Sequence, residues 1–127
     1  MAFNFLVVDD SNIARKVIVK TLGLSGVPVG TIFEAAHGAE ALDIIHSQWI
    51  DLVFLDINMP VMDGIEFIRE LREDPEQRST PVVIVSTEGS RVRKAELADY
   101  DVKAYLRKPV QPENIAETVR DALGWRA

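Results

Sequence analysis

Leu52-Val53-Phe54-Leu55-Asp56 places four large apolar residues in succession and ends them on a carboxylate. A strand with one face in water alternates polar and apolar side chains, because successive Cβ atoms point to opposite faces. This run does not alternate, so both of its faces look into protein, as in a central strand of a parallel sheet covered by helices. Leu6-Val7-Val8, followed by Asp9 and Asp10, reads the same way, and so does Val82-Val83-Ile84-Val85, followed by Ser86 and Thr87. Val29-Gly30-Thr31-Ile32-Phe33-Glu34 is mixed in character and suits a sheet edge.

Working outward, five strand-length segments appear: Phe3 to Val8, Val29 to Ala35, Asp51 to Leu55, Pro81 to Val85 and Val102 to Leu106. Stretches with apolar residues three and four apart separate or follow them, as in Ile13, Val17, Ile18 and Leu22, in Ile65, Ile68 and Leu71, and in Ile115, Val119, Ala122 and Leu123. Turn signals fall at Gly23 to Gly26, Gly38, Met62-Asp63-Gly64 and Asp74-Pro75. This alternation predicts an α/β fold: a doubly wound five-stranded parallel sheet between two helical layers, a (βα)5 sandwich. No linker, repeat or low-complexity tract interrupts it, so one domain over residues 1–127 is expected.

A chain of 127 residues with 47% hydrophobic content can bury a core without covalent staples. It has no cysteine, which excludes disulfides, iron–sulfur clusters and thiolate metal sites, so any metal must be held mainly by oxygen. The 14 Lys and Arg against 20 Asp and Glu give a net charge of -6, which argues against direct binding to the phosphate backbone of nucleic acid. No apolar run approaches the roughly 18 residues of a membrane span, and the N-terminus lacks the cationic region of a secretory signal. A cytoplasmic protein without membrane contact is expected.

In open α/β sheets, ligands bind outside the carboxyl ends of the strands. Those ends carry Asp9 and Asp10, then Asp56, then Ser86 and Thr87, then Lys108. Three carboxylates drawn together repel one another and call for cationic compensation. A hard divalent ion, Mg2+ (or Mn2+), suits a donor set of oxygens alone and leaves coordination positions for a phosphate. A carboxylate beside such an ion can act as a nucleophile on phosphorus. Lys108 can neutralise a phosphoryl oxygen, Ser86 can donate a hydroxyl hydrogen bond, and backbone N–H groups can hold the remainder. Taken singly these features are bland, since an Asp-Asp pair after a strand is most often a helix cap beside a solvated acid. The weight lies in their joint placement.

Val7-Val8-Asp9-Asp10-Ser11, Leu55-Asp56-Ile57-Asn58-Met59-Pro60-Val61-Met62-Asp63-Gly64, Val85-Ser86-Thr87-Glu88 and Tyr105-Leu106-Arg107-Lys108-Pro109 together resemble the response regulator receiver domains, the CheY-like family. The resemblance covers nearly the whole chain and implies the flavodoxin-like strand order 2-1-3-4-5, of which this family is itself a type example. It further implies that Asp56 is the phosphoacceptor, and that Asp10 binds magnesium directly and Asp9 through water, with Asn58 supplying a backbone carbonyl. Ser86 matches the switch hydroxyl, with adjacent Thr87 ranked second, and Tyr105 matches the aromatic switch. Lys108 matches the phosphoryl-binding lysine, Pro109 follows a cis peptide, and Asn58 and Glu88 tune the phosphoryl lifetime. The implied donor is a histidine kinase, a phosphotransfer protein or a small acyl phosphate. Phosphorylation would reshape the fourth helix, fifth strand and fifth helix, which then act on a downstream protein target.

A single-domain chemotaxis-type regulator, monomeric or dimerising on activation, is the reading favoured. It is no enzyme beyond its own phosphorylation and dephosphorylation. A phosphorelay shuttle, a receiver excised from a larger transcriptional regulator, an acidic docking module and a haloacid-dehalogenase-like phosphatase are the alternatives. The last is disfavoured because Asn58 stands where that chemistry needs a second acid. Two departures from the family pattern stand out. Asp99-Tyr100-Asp101 lacks the usual helix-ending glycine, so Asp101 is expected to take a left-handed conformation, and Gly89 adds backbone freedom after Glu88. His37 and His46 read as surface or boundary residues, Trp49 and Trp125 as packing at helix ends, Phe67 as an ordinary helix residue, and Arg91, Arg93 and Lys94 as a solvated basic face or a contact for an acidic partner.

Overall fold

The computed structural model describes residues 2–57, 59, 61–87, 97 and 100–126. Its elements are β1 (Phe3–Val8), α1 (Asn12–Leu24), β2 (Val29–Ala35), α2 (Gly38–Ser47), β3 (Leu52–Leu55), α3 (Gly64–Glu73), β4 (Val82–Ser86), β5 (Val102–Arg107) and α4 (Pro112–Leu123). The expected helix between β4 and β5 falls almost wholly outside the described residues, and with it Glu88, Gly89, Arg91, Arg93, Lys94 and Asp99. Asn58 and Pro60 lie outside them as well.

The five strands form one sheet in the order β2-β1-β3-β4-β5, every pair parallel. The order and parallel sense are those expected, and the mixed β2 segment takes an edge. Strand period two explains how one sheet builds two cores. Leu6, Val8, Val53, Leu55, Val82 and Ile84 pack with Ala41 and Ile45 of α2 and with Ile65, Ile68 and Leu71 of α3. Their sequence neighbours Phe5, Val7, Leu52, Phe54, Val83 and Val85 pack on the other face with Ile18 and Leu22 of α1 and Ile115 and Val119 of α4. Each central strand therefore needs an apolar residue at every position, which is why those segments show no alternation.

Helix starts are set locally. The Ser11 hydroxyl accepts from Ala14 N at 3.1 Å, and Asp63 and Glu66 form a reciprocal capping box at the start of α3. Pro112 opens α4, and Gly124 closes it at φ 71. His37 caps α2, its Nδ1 accepting from Glu40 N at 3.3 Å.

Three expectations are corrected. α1 continues through Gly23, and the chain turns at Ser25, whose N–H and hydroxyl both bond Leu22 O, and at Gly26, φ 84. Asp101 is not left-handed; among the described residues Val61 is the non-glycine with positive φ, at 69°. Trp49 does not pack, its side chain being 74% exposed with the indole N–H donating to Asp51 Oδ1 at 2.9 Å. Phe67 is the ordinary helix residue expected, on α3 and fully buried against the sheet. Trp125 packs as expected, against the core under α4 and with the Arg120 guanidinium 5.9 Å from its ring centre.

Candidate functional site at the carboxyl rim of the sheet

Backbone hydrogen bonds lace the strand ends into one rim. Asp9 N donates to Ala35 O at 3.0 Å, Asp56 N to Val8 O at 2.9 Å, and Lys108 N to Ser86 O at 2.9 Å. The sheet thus carries Asp9 and Asp56 on neighbouring strands and Lys108 after β5, two strands beyond β3, and the long Lys108 side chain spans the gap to both acids. A second constraint comes from α3, whose first residue Gly64 donates to Ile57 O at 2.9 Å. A Cβ at Gly64 would lie 2.7 Å from Asp56 O and 2.7 Å from Ile57 Cα, so only glycine lets the helix approach the segment that carries Asp56.

One oxygen from each of Asp9, Asp10 and Asp56 lies within 4.8 Å of the others. Asp9 and Asp56 are buried, at 1% and 8% exposure, whereas Asp10 is open to solvent. The Lys108 ammonium donates to Asp9 Oδ2 at 2.6 Å and stands 3.7 Å from Asp56 Oδ2. Asp9 Oδ1 is taken by Ser11 N at 2.9 Å. With all groups ionised, three carboxylates against one ammonium leave a surplus of two negative charges. Like charges about 4 Å apart repel by about 4 kcal/mol at an effective dielectric of 20, so the cluster favours a further cation. Hard oxygen donors, tight spacing and one water-facing carboxylate fit Mg2+ or Mn2+.

Ser86 is buried at the end of β4, while Thr87 beside it is exposed. The Lys108–Pro109 peptide is cis. Tyr105 projects from β5 with 38% exposure, and burial raises its phenol pKa above the ordinary 10.0. The structure therefore brings together Asp9, Asp10, Asp56 and Lys108, places Ser86 on the adjoining strand end, and sets Tyr105 further down β5. His37 and His46 stay apart, the first capping α2 and the second pairing with Asp74 at 3.2 Å.

The strand-end reading missed one participant. The Arg15 guanidinium, from the second turn of α1, donates through Nη1 to Asp9 O at 2.6 Å and through Nε to Glu34 Oε1 at 3.0 Å. Its sequence signal was faint: Arg15 stands downstream of Asp9-Asp10-Ser11, a weak fit to chemotaxis-type receivers that gives it no place in the site, and a single acid, Glu34, lies near the end of a strand whose next residue pairs with Asp9.

An acidic, oxygen-only pocket with one lysine, at the carboxyl rim of a 2-1-3-4-5 parallel sheet, defines a receiver-type signalling domain. Its family model, "Response regulator receiver domain", matches residues 5–120, and the chain belongs to that family. The chain is 33% identical over 120 residues to a Campylobacter jejuni chemotaxis protein CheY homolog, covering 94% of this chain and 91% of that protein. The solved structure of Vibrio cholerae chemotaxis protein CheY4 superposes with a TM-score of 0.84 at 32% identity, covering 97% of this chain and 100% of that one. A Xanthomonas oryzae protein-glutamate methylesterase/protein-glutamine glutaminase is 40% identical over 105 residues, 80% of this chain but 28% of that protein. This chain is thus a response regulator with chemotaxis-type relatives, a signalling protein whose pocket fits phosphorylation. No helix among the described residues is long and apolar enough to cross a membrane.

Proposed function

We propose that residues 1–127 act as one phosphoacceptor domain in cytoplasmic two-component signalling, with Asp56 taking the phosphoryl group. The convergence of Asp9, Asp10 and Asp56 within 4.8 Å, beside the Lys108 ammonium, carries this reading. An Asp56 carboxylate oxygen attacks phosphorus in line. The bond from phosphorus to the donor's imidazole nitrogen, or to the oxygen of a small acyl phosphate, breaks as the leaving group departs with its electron pair. Asp9, Asp10, Asp56 and the Asn58 carbonyl would hold Mg2+ (or Mn2+), which supplies charge neutralisation for the transferring group.

Lys108 has two roles at one position. Without a phosphoryl group its ammonium balances Asp9, and the 3.7 Å to Asp56 Oδ2 leaves it one small movement from an oxygen on phosphorylated Asp56. Ser86, buried on the next strand end, supplies a hydroxyl donor, with exposed Thr87 second to it. Asn58 and Glu88, which lie outside the described residues, are assigned the tuning of phosphoryl lifetime. Moving a 1:99 equilibrium to 99:1 takes about 5.5 kcal/mol. One charge-assisted contact and one hydrogen bond, at roughly 1.5–3 kcal/mol each, with metal coordination, reach that order. Tyr105 then rotates inward, changing a surface on β5 and α4 that acts on a downstream protein target.

The donor is a histidine kinase or phosphotransfer protein, which must reach Asp56 at the rim where Ile13 and Val17 of α1 stand exposed. The CheY relatives support a chemotaxis-type output. Incubation with a small acyl phosphate, followed by phosphate-affinity electrophoresis, tests the reading. A shifted band is expected with Mg2+, and none with chelator or in Asp56→Asn. Label that survives in Asp56→Asn would overturn it.

A further inference from the structure

We propose that Arg15 is a positioning residue for the cation site, its guanidinium locking the peptide between Asp9 and Asp10 from a seat on Glu34. The inference rests on the Mg2+-dependent reading above. The Asp9 carbonyl belongs to the peptide joining the two acids, so its orientation sets the direction in which the chain carries Asp10 into the cluster. That carbonyl receives Arg15 Nη1 at 2.6 Å. The same guanidinium donates through Nε to Glu34 Oε1 at 3.0 Å and through Nη2 to Asn12 Oδ1 at 3.2 Å.

Glu34 is itself held, its second oxygen accepting from Lys16 Nζ at 2.7 Å. It precedes Ala35, whose carbonyl receives Asp9 N. The turn bearing Asp9 and Asp10 is thus gripped by β2 from one side through the sheet, and from the other through Glu34 and Arg15. Both side chains are largely shielded, at 15% and 25% exposure. The pairing with Lys16, and then with Arg15, holds the Glu34 carboxyl below its usual value, so the seat stays anionic at neutral pH. A planar fork can serve Glu34 and the carbonyl together, which a single ammonium cannot. Groups that orient metal ligands in this way typically contribute roughly 10–100-fold in metal affinity.

Coulomb's law and positioning predict opposite signs here. Removing a cation near an acidic cluster should by charge alone tighten divalent binding, whereas loss of a positioning group should weaken it. Calorimetric titration of Mg2+ into the unphosphorylated protein separates them. Arg15→Gln and Arg15→Lys are each expected to weaken binding roughly tenfold or more. Glu34→Gln shifts affinity in the same direction, and Arg15→Gln with Glu34→Gln together binds no more weakly than Arg15→Gln alone, since both act through one contact. Thermal unfolding in chelator checks folding, and Arg15→Lys, which keeps charge and stem, carries the test if Arg15→Gln does not fold. Affinity in Arg15→Lys equal to or tighter than wild type overturns the inference. A wild type that binds no Mg2+ overturns the phosphoacceptor reading, and this inference with it.

Discussion

Alanine at Gly64 and at Gly23 adds the same methyl group to a helix, and the two changes should move stability in opposite directions. At Gly64 the new Cβ would sit 2.7 Å from Asp56 O and 2.7 Å from Ile57 Cα. Carbon contacts are comfortable at roughly 3.5–4.0 Å, so the overlap approaches an ångström. The obstructing atoms are backbone, and α3 must lift away from the segment carrying Asp56. Overpacking of this kind costs about 1–3 kcal/mol, and alanine's better helix propensity returns less than about 1 kcal/mol, leaving a net loss of about 1–2 kcal/mol. With an unfolding entropy of about 2.1 cal/mol/K per residue, a 127-residue domain loses roughly 4–8 °C in Tm. At Gly23, inside α1, a Cβ meets nothing within 4 Å. Its gain is about 0.5–1 kcal/mol, or roughly 2–4 °C. Thermal unfolding followed by circular dichroism reads both, and Gly64→Ala should also slow acyl phosphate labelling because Asp56 moves with its peptide. Gly64→Ala melting and labelling as wild type does would refute the argument that close approach of α3 holds the segment carrying Asp56 in place.

Lys108→Met removes the ammonium that Asp9 and Asp56 share, and acyl phosphate labelling at saturating Mg2+ should fall roughly 100-fold, the scale of one lost oxyanion donor. Mg2+ affinity, read by calorimetry, should rise in the same variant, and a fall would contradict the charge balance described. Glu34 titrates below its ordinary 4.5 in the folded protein, chiefly through the Lys16 hydrogen bond and then Arg15. A depressed carboxyl stabilises above the unfolded value and loses that contribution as pH falls through the folded one. The urea-midpoint gap between wild type and Glu34→Gln should therefore stay constant above pH 4.5 and close below it. Val61 sits at φ 69 with 80% exposure, so Val61→Gly relieves a left-handed β-branched residue at little packing cost. It should raise stability by about 1 kcal/mol in a urea titration, and a loss would show that the Val61 side chain contributes contacts outweighing the strain.

The sheet was legible because burial on both faces is a property of composition: each position of Leu52-Val53-Phe54-Leu55 feeds one core or the other, so none is polar. Strand ends drifted by one residue where a side chain competes for the ladder. Asp51 opened the predicted third strand, but its carboxylate takes Asn4 N and the Trp49 indole, and the strand begins at Leu52. Gly23 read as a turn on residue type alone, yet nothing opposes a helix there, and Ser25 and Gly26 end it instead. Trp49 read as packing on size, and its hydrogen bond to Asp51 holds it outward. Asp9, Asp10, Asp56 and Lys108 could be placed together because the end of a parallel strand is a location that sequence reports. Arg15 could not, since its main partner is a backbone carbonyl, which carries no residue-type signature. The expected left-handed Asp101 failed for a related reason: Tyr100 N bonds back to Leu97 O at 3.0 Å, closing the turn one residue earlier.

The identity of the labelled atom remains the sharpest point of decision. After incubation with Mg2+ and a small acyl phosphate, borohydride reduction converts an aspartyl phosphate to homoserine, which peptide mass spectrometry locates. Homoserine at position 56 alone, absent when Mg2+ is chelated, is the predicted result. Homoserine at position 9 or 10, or labelling that persists without a divalent cation, would contradict the assignment of Asp56 as the nucleophile in a metal-assisted site.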